Sequence, residues 1–395
     1  MPLAPNTLPA RAFQNTRRSS RLLFHWRASD LSLTPVSGEV PTFGRASAGG
    51  LVPDSQGYLH DFAQAQPRFE MSDYDAASGL WLSPGLLLEG QRTNIALWSR
   101  DLTTAAWNTK TTVTIAKDQT GVDGAANGAS SVLATAGNAV VRQAITLASS
   151  LRCQSAYVKR LVGSGVVQMT TDGGSTWTAI TVTAAWTRVT IPTQTLANPN
   201  VGFRLVTNGD KIAVDFVQNE NGGFQTSAIA TTTVAVTREA DALSYAFLAP
   251  PQAMTTYADL LFRGTGSNPT VVVIGAIDSN VMRWHVGLNP SDKPFQYLEN
   301  TSGSSVTLAT ATAATHGQRV ELCGSHSAAG TALAASINQA AAESAAGGAV
   351  AYDAAWSALT LSPQNNVPGS VNHCVMRSIK VAAGVRTLAE MRSAF

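Results

Sequence analysis

VGFRL at residues 201–205 and KIAVDFVQ at residues 211–218 alternate apolar with polar or small side chains, and this alternation decides the fold class. A period of two predicts strands that bury one face. WTRVTI at residues 186–191 repeats the pattern. DGGS at residues 172–175 separates two apolar runs, and its glycines allow the positive φ of a hairpin turn. Short strands at this spacing predict an antiparallel sandwich.

The composition fits a chain of several β domains. Its 395 residues suffice for two or three domains, each with its own core. Only 13% of the residues are charged, which favours strands and turns over long exposed helices. A net charge of +2, without a stripe of Lys and Arg between aromatic residues, excludes general nucleic-acid binding. The sequence has no apolar run of about 18 residues and no secretory pattern at its first residues, so neither membrane insertion nor standard export is expected. Three cysteines without C-x-x-C spacing favour folding in a reducing cytoplasm.

The sequence divides into four predicted stretches. Residues 1–40 form an extended basic arm, 41–98 a β module, 99–241 a jelly-roll sandwich and 242–395 a second sandwich. The arm carries five arginines before the first acidic residue, namely Arg11, Arg17, Arg18, Arg21 and Arg27. Its prolines interrupt helices and ladders, so we expect the arm to gain order by lying on a neighbour or on the following domain. The predicted fold is mainly β, with tandem antiparallel β-sandwich domains behind this extended arm.

The most distinctive string is GLLLEGQRTN at residues 85–94. Its three leucines predict a short buried strand, and the polar residues after them are too costly to bury unless they are hydrogen-bonded. We therefore predict a structural staple between the module and the next domain. The staple consists of Glu89, Gln91, Arg92 and Asn94. The alternative is a catalytic Glu89 with Arg92, but the sequence places no second carboxylate or histidine nearby.

GLLLEGQRTN closely resembles a signature of tailed-bacteriophage virion proteins, in which it ends an N-terminal module and introduces a sandwich. FGRAS at residues 43–47 and PRF at residues 67–69 resemble the elements that precede it in that family.

The two sandwiches carry resemblances of their own. Residues 99–241 resemble carbohydrate-binding jelly-roll modules through Trp107, DFVQNE at residues 215–220 and TREAD at residues 237–241. TLAEMR near the C-terminus resembles the end of a concanavalin/laminin-G-type sandwich of phage proteins, in which a final strand runs into a short helix. Thr387 with Glu390 three residues later independently predicts a capping box at the start of that helix.

These resemblances imply a virion structural protein, assembled in the host cytoplasm, that acts by binding and is not an enzyme. A tail fibre, tail tip or spike would mediate particle assembly and attachment to host surface glycans. Its partners would be other virion proteins and further copies of itself, with a trimer favoured. A capsid decoration or head fibre protein bound to the capsid is one alternative. A tail-spike polysaccharide depolymerase is the other, although it requires a carboxylate pair that the sequence does not show.

Candidate binding residues follow from this interpretation. Sugar rings stack on aromatic faces beside amides, which favours Trp107, Trp177 and Asn219 as glycan contacts. Trp186 begins an alternating strand and is expected in a core. Anchoring to the particle is assigned to four residues of the arm. They are Arg17, Arg18, Arg21 and Trp26.

No catalytic residue, cofactor or metal site is predicted. The six histidines are scattered, and the three cysteines lack C-x-x-C spacing. Cys374 is expected to be a small core residue, because it and the adjacent His373 would point to opposite faces of a strand. A structural calcium ion stays open as an alternative. Its hard oxygen ligands would come from Asp123, Asp172, Asp215 and Glu220.

Overall fold

The computed structural model describes most of the chain between residues 22 and 393. The described residues are 22–54, 57–71, 74–75, 80–81, 84–249, 253–265, 270–275, 283–289, 291, 293–299, 302, 305–314, 319–327, 332–338, 343–346, 356–361 and 372–393. They form 31 β-strands, a 3-10 turn at Ala28–Asp30 and one α-helix. The prediction of a mainly β chain built of antiparallel sandwiches is confirmed.

The strands fall into three consecutive groups along the chain. The first group comprises β1 (Leu22–Arg27), β2 (Pro41–Gly44), β3 (Val52–Pro53), β4 (Leu59–His60), β5 (Arg68–Met71), β6 (Tyr74–Asp75), β7 (Leu80–Trp81), β8 (Pro84–Glu89) and β9 (Arg92–Asn94). The second comprises β10 (Thr109–Thr111), β11 (Val113–Gln119), β12 (Ala129–Ala134), β13 (Ala139–Ala144), β14 (Ser150–Val162), β15 (Val167–Thr170), β16 (Thr178–Ile180), β17 (Thr187–Leu196), β18 (Asn200–Leu205), β19 (Lys211–Asn221) and β20 (Val236–Arg238). The third comprises β21 (Ala242–Ala249), β22 (Met254–Thr265), β23 (Thr270–Gly275), β24 (Arg283–Leu288), β25 (Pro294–Glu299), β26 (Ser305–Ala309), β27 (Arg319–His326), β28 (Ala332–Ile337), β29 (Glu343–Ala346), β30 (Trp356–Leu361), β31 (Asn372–Ala383) and α1 (Leu388–Ser393).

Strands β10 to β19 build one sandwich, the inserted sandwich. One sheet has the order β10-β13-β18-β15-β16, and the other has the order β11-β12-β19-β14-β17. Val201, Phe203 and Leu205 of β18 are buried in the core between the sheets, as their alternation predicts. Val214 of β19 packs into the same core from the other sheet.

The remaining large sheets build a second sandwich, the outer sandwich. Its eight-stranded sheet runs β29-β28-β27-β22-β31-β8-β5, with β1 also paired to β31. Strand β31 accommodates both β8 and β1 on one side because β8 pairs with residues 373–376 and β1 with residues 378–382. The seven-stranded sheet runs β2-β21-β30-β23-β24-β25-β26. Side chains from both sheets, including Trp284 and Met376, form one core.

This topology corrects the predicted domain order. The structure has no separate module at residues 41–98 within the part that it describes, because β2, β5 and β8 are strands of the outer sandwich. The arm is also not free after residue 21, since β1 pairs with β31. Short apolar segments such as LLL at residues 86–88 cannot build their own core, so they complete the sheets of a distant segment. The chain thus starts the outer sandwich, inserts the other sandwich, and then finishes the first.

The two crossings between the sandwiches lie side by side. Strand β9 leads into the inserted sandwich and β20 leads out of it, and the two form an antiparallel pair. At the C-terminal end, the Glu390 N–H donates to Thr387 Oγ1 at 3.2 Å and the Thr387 N–H donates to Glu390 Oε2 at 2.8 Å. The predicted capping box of α1 is therefore confirmed. Among the described residues, no helix is long and apolar enough to span a membrane.

Candidate functional site

The outer face of the sheet β10-β13-β18-β15-β16 carries the best candidate for a binding surface. Strand β18 buries its apolar residues and directs Gly202 and Arg204 outward, while β13 directs Arg142 outward. The strand register places Arg142 opposite Gly202, and Gln168 opposite Arg204. Trp177 lies on the loop that follows β15 and is partly exposed. We call this surface, defined by Arg142, Gln168, Asn200, Arg204 and Trp177, the Arg142 face.

Arg142 is held in place by packing. A Cβ on Gly202 would lie 2.5 Å from Arg142 Cγ, so the missing side chain at Gly202 allows the stem of Arg142 to lie across β18. Arg142 Nε is buried and has no hydrogen-bond partner within the described part of the chain. Asn200 Oδ1, the acceptor of a neighbouring side chain on the same face, is also buried without a partner there. Buried polar atoms normally have partners, so this pair marks a site with unused hydrogen-bonding capacity.

The turn beside Arg142 is organised by Asp172. Asp172 Oδ1 accepts hydrogen bonds from Thr170 Oγ1 at 2.8 Å and from the Thr176 N–H at 2.9 Å. Its Oδ2 accepts one from Gln194 Nε2 at 3.3 Å. Burial acts to raise the pKa of Asp172, but these hydrogen bonds lower it to about 2. The carboxylate is therefore charged and is satisfied by its own turn.

Trp177 is the aromatic member of the Arg142 face. The guanidinium of Arg204 lies 4.6 Å from the centre of its ring, and Arg204 Nε donates to Gln168 Oε1 at 2.7 Å. Gly174, at φ +97°, allows the ring to approach, since a Cβ there would lie 2.8 Å from Trp177 Nε1. The face therefore offers one partly exposed aromatic ring beside two guanidinium groups and two amides.

The other two predicted glycan contacts are buried, and these predictions are wrong. Trp107 is 1% exposed in the core of the inserted sandwich, and its Nε1 donates to the Trp98 carbonyl at 3.2 Å. Asn219 is fully buried on β19, opposite Gln154. Neither side chain can reach a sugar ring, because the sandwich closes over both. Trp186 is half-buried, with Lys159 Nζ 4.9 Å from its ring.

Glu89 lies in a buried ionic cluster between the two sandwiches. Arg68 binds both carboxylates of the cluster, Glu89 at 2.8 Å and Asp241 at 2.5 Å. Arg45 Nη1 donates to the other oxygen of Asp241 at 3.1 Å. The Ser227 N–H donates to Glu89 Oε1 at 2.7 Å. The side chains of these three arginine and carboxylate pairs are fully buried, as are those of a fourth pair, Arg238 and Glu89, at 3.6 Å.

This cluster gives the resembling motifs a common physical role. Arg45 comes from FGRAS, Arg68 from PRF, Glu89 from GLLLEGQRTN, and Asp241 from TREAD. Although burial acts to lower the pKa of Arg68, the carboxylates of Asp241 and Glu89 outweigh that effect and raise it. The guanidinium is thus kept charged inside the protein. Four segments that are far apart in sequence are joined at one point.

The other staple residues lie next to this cluster. Asn94 makes four buried hydrogen bonds, donating to the carbonyls of Val217 and Ile229 and accepting from the N–H groups of Ala96 and Asn219. The guanidinium of Arg92 lies 4.9 Å from the ring of Phe224 on the loop after β19. Gln91 Nε2 donates to Glu239 Oε2 at 2.5 Å on the surface. All three therefore contact segments next to β19 or β20.

The assignment of anchoring residues is corrected at one position. Trp26 is fully buried in the core of the outer sandwich, and its Nε1 donates to the Ser32 carbonyl at 2.8 Å. A side chain committed to this core is not available to another particle protein. Arg17, Arg18 and Arg21 lie outside the described residues.

The four proposed calcium ligands do not converge. Arg100 binds both Asp123 and Asp215, at 2.7 and 2.8 Å. Glu220 instead accepts hydrogen bonds from the N–H and Oγ1 of Thr226, and Asp172 lies in the turn described above. The arginine supplies the positive charge that a metal ion would supply between Asp123 and Asp215. Within the described part of the chain, no group of three or more potential metal-ligating side chains occurs.

The cysteines belong to the interior. Cys374 is fully buried, which confirms the prediction that it is a core residue. Burial raises the pKa of Cys153, Cys323 and Cys374 to about 12 in each case. Thiols with such pKa values are protonated near neutral pH and are poor nucleophiles.

No family model matches the chain, and no curated protein matches it. Among solved structures, the CBM40 of a Ruminococcus gnavus sialidase bound to α2,3 sialyllactose has a TM-score of 0.31 at 11% identity, covering 35% of this chain and 80% of that chain. Botulinum neurotoxin type C, whose cell entry depends on interaction with two ganglioside molecules, gives 0.30 at 10% identity, covering 39% of each chain. The NanB sialidase of Streptococcus pneumoniae gives 0.30 at 9% identity, covering 38% of this chain and 25% of that chain. Likenesses of this strength carry no argument about function.

Proposed function

We propose that this chain is a structural protein of a tailed-bacteriophage virion, of the tail fibre, tail-tip or spike type, that attaches to host surface glycans. The observation that carries the attachment role is the Arg142 face, where a partly exposed Trp177 lies beside guanidinium and amide groups. Such a combination suits sugars, which present apolar ring faces for stacking and hydroxyl groups for hydrogen bonding. A single face of this size binds weakly, so attachment would depend on several copies in an oligomer, with a trimer favoured.

The virion role rests on the resemblance of four motifs and on what their residues do. Arg45, Arg68, Glu89 and Asp241 form the ionic cluster that fastens the inserted sandwich to the outer one. A joint of this kind suits a protein that works as a scaffold. We further propose that the protein is not an enzyme, because its signature carboxylate, Glu89, is fully buried and bound by Arg68. Sustained release of reducing ends from host polysaccharide by the purified chain would contradict this part.

Glycan binding is tested on an array of neutral and acidic bacterial surface glycans. The full chain should bind a subset of them, and Trp177→Ala should weaken that binding by roughly tenfold through loss of aromatic stacking. Tyr58→Ala is the matched control, since Tyr58 is 50% exposed and lies on another part of the surface. Equal binding by the wild type and Trp177→Ala, or binding to no glycan at all, would contradict the proposal.

Anchoring through the basic arm is tested by deletion. The deletion is limited to residues 1–21, because β1 begins at Leu22 and carries the buried Phe24 and Trp26. We expect the deletion to abolish incorporation into particles while the thermal unfolding of both sandwiches stays unchanged. Full incorporation of the shortened chain would show that the anchor lies elsewhere.

A further inference from the structure

We propose that the Arg142 face recognises a carboxylate-bearing saccharide, with Arg142 Nη1 and Nη2 binding the carboxylate and Asn200 Nδ2 donating a hydrogen bond to a neighbouring hydroxyl oxygen. This inference rests on the glycan-binding role proposed above and names the chemical class of the ligand.

The first support is the state of Arg142. No hydrogen bond or ion pair from its guanidinium to another described residue is found, and its Nε is buried. Arg100 and Arg68, by contrast, each bind two carboxylates. A guanidinium is a planar fork of five donors that matches the two oxygens of a carboxylate. Arg142 therefore has the capacity for a bidentate contact that the described protein does not use.

The second support is that two hydrogen-bond donors border one space. A Cβ on Gly173 would lie 3.3 Å from Arg142 Nη1 and 3.2 Å from Asn200 Nδ2, so both side chains border the same small space. Both atoms are hydrogen-bond donors, and neither has an acceptor within the described part of the chain. A ligand that fits must supply a hydrogen-bond acceptor to each of them. A uronic acid supplies both, a carboxylate and ring hydroxyls, within one sugar.

The third support is the charge around this space. Asp172, the carboxylate of the adjacent turn, is occupied by Thr170, Thr176 and Gln194, so it does not compete for Arg142. With a pKa of about 2, Asp172 keeps its negative charge near neutral pH, and this charge limits how much negative charge a ligand can bring to the space. One guanidinium beside one carboxylate accommodates a singly charged group better than a phosphate monoester, which carries nearly two negative charges. A phosphodiester carries one negative charge, so it serves as a probe of equal charge. Trp177 and Arg204 extend the face for a second sugar unit.

The experiment measures binding of the full chain to fragments of polygalacturonate, alginate and hyaluronate by isothermal titration calorimetry. Each polymer is also tested after its carboxylates have been reduced to primary alcohols, and poly(glycerol phosphate) serves as the phosphate probe. We expect binding to at least one carboxylate polymer and loss of roughly ten- to hundredfold in affinity on carboxyl reduction, the size of a charge-assisted hydrogen-bonded contact.

Variants connect this preference to the site. Arg142→Gln should weaken binding by the same factor, and Asn200→Ala should weaken it roughly fivefold. Arg142→Lys keeps the charge but not the fork and should also bind weakly. Lys117→Gln is the matched control for charge, because Lys117 is 39% exposed on the other sheet of the same sandwich. Unfolding midpoints equal to the wild type show that each variant is folded.

The outcomes separate the two proposals. Binding to neutral or carboxyl-reduced glycans with full affinity would overturn the carboxylate inference and leave the glycan-binding proposal intact. Preference for poly(glycerol phosphate), no binding to any of the three carboxylate polymers, or wild-type affinity of Arg142→Gln would each overturn the inference. The proposed attachment function itself fails if the array of surface glycans shows no binding, or if Trp177→Ala binds as well as the wild type.

Discussion

Two buried asparagines in contact with each other provide a stringent test of how the inserted sandwich is held. The side chain of Asn94 makes four hydrogen bonds of 2.8–3.1 Å to backbone groups, one of them from the Asn219 N–H. Both side-chain polar atoms of Asn219, in contrast, are buried without a partner in the described part of the chain. Both residues are fully buried. They therefore differ in hydrogen bonding while burial is the same.

Leucine is close to asparagine in shape and removes the polar atoms at either position. Asn94→Leu deprives two carbonyls and two N–H groups of a partner, and at about 1 kcal/mol for each bond the loss is about 4 kcal/mol. Asn219→Leu removes two unpaired buried polar atoms and adds apolar contacts, so we expect between no change and a gain of about 1 kcal/mol.

Differential scanning calorimetry of the full chain measures both variants. At roughly 3 °C per kcal/mol for a domain of this size, Asn94→Leu should lower the unfolding midpoint of the inserted sandwich by roughly 10 °C. Asn219→Leu should leave that midpoint unchanged or raise it by a few degrees. Equal losses of stability in the two variants would refute the argument. They would show that the stability depends on burying an amide at either position and does not depend on the hydrogen bonds that Asn94 makes to the backbone.

Three further predictions concern charged groups. Glu89→Gln should cost about 3–5 kcal/mol in urea denaturation because it leaves buried arginines short of a carboxylate, whereas Glu239→Gln on the surface should cost less than about 1 kcal/mol. Burial lowers the pKa of His326 from 6.5 to about 4, so the folded state loses stability as the pH falls from 6.5 to 4. His326→Phe keeps the edge contact with Trp284 and should reduce this loss in a series of unfolding midpoints measured against pH. The pKa of Asp172 is lowered from 3.8 to about 2, so the stability that its charge contributes is complete above pH 3.8 and is lost as the pH falls to 2. Asp172→Asn should remove this acid-dependent loss from the same series of unfolding midpoints.

Local features of the fold could be predicted from the sequence because their causes are local. The alternation at residues 201–205 places three apolar side chains on one face, whatever the sheet around them. The capping box at Thr387 is likewise complete within four residues. The run at residues 211–218 is different, since residues 212–220 are all buried. The second face of β19 is covered by segments such as Leu51 and Leu59, which lie far away in sequence.

The insertion could not be predicted for the same reason. LLL at residues 86–88 indicates a buried strand, but the sequence of this strand does not identify its partner. That partner is β31, at the other end of the chain. The site shows a similar limit. Trp107 and Trp177 are both single tryptophans among polar residues, and only the closed sandwich shows that the first is core. Arg142 was not predicted, because an arginine that faces outward on a strand is usually solvated. What distinguishes it is its close approach to Gly173 and Gly202, and this approach exists only once the strands are paired.

The joint between the sandwiches contains buried charges, and its geometry fits the proposed attachment role. Buried ion pairs add little net stability, because desolvation offsets most of the attraction, but they tolerate few geometries. Arg68 must meet Glu89, Asp241 and Ser227 together, and the paired strands β9 and β20 fix both crossings beside it. The inserted sandwich is thus held by more than a flexible linker. A face carried in this way needs little ordering when it binds. In the proposed oligomer, several such faces could meet a surface together, which is the condition under which weak sugar contacts add up to firm attachment.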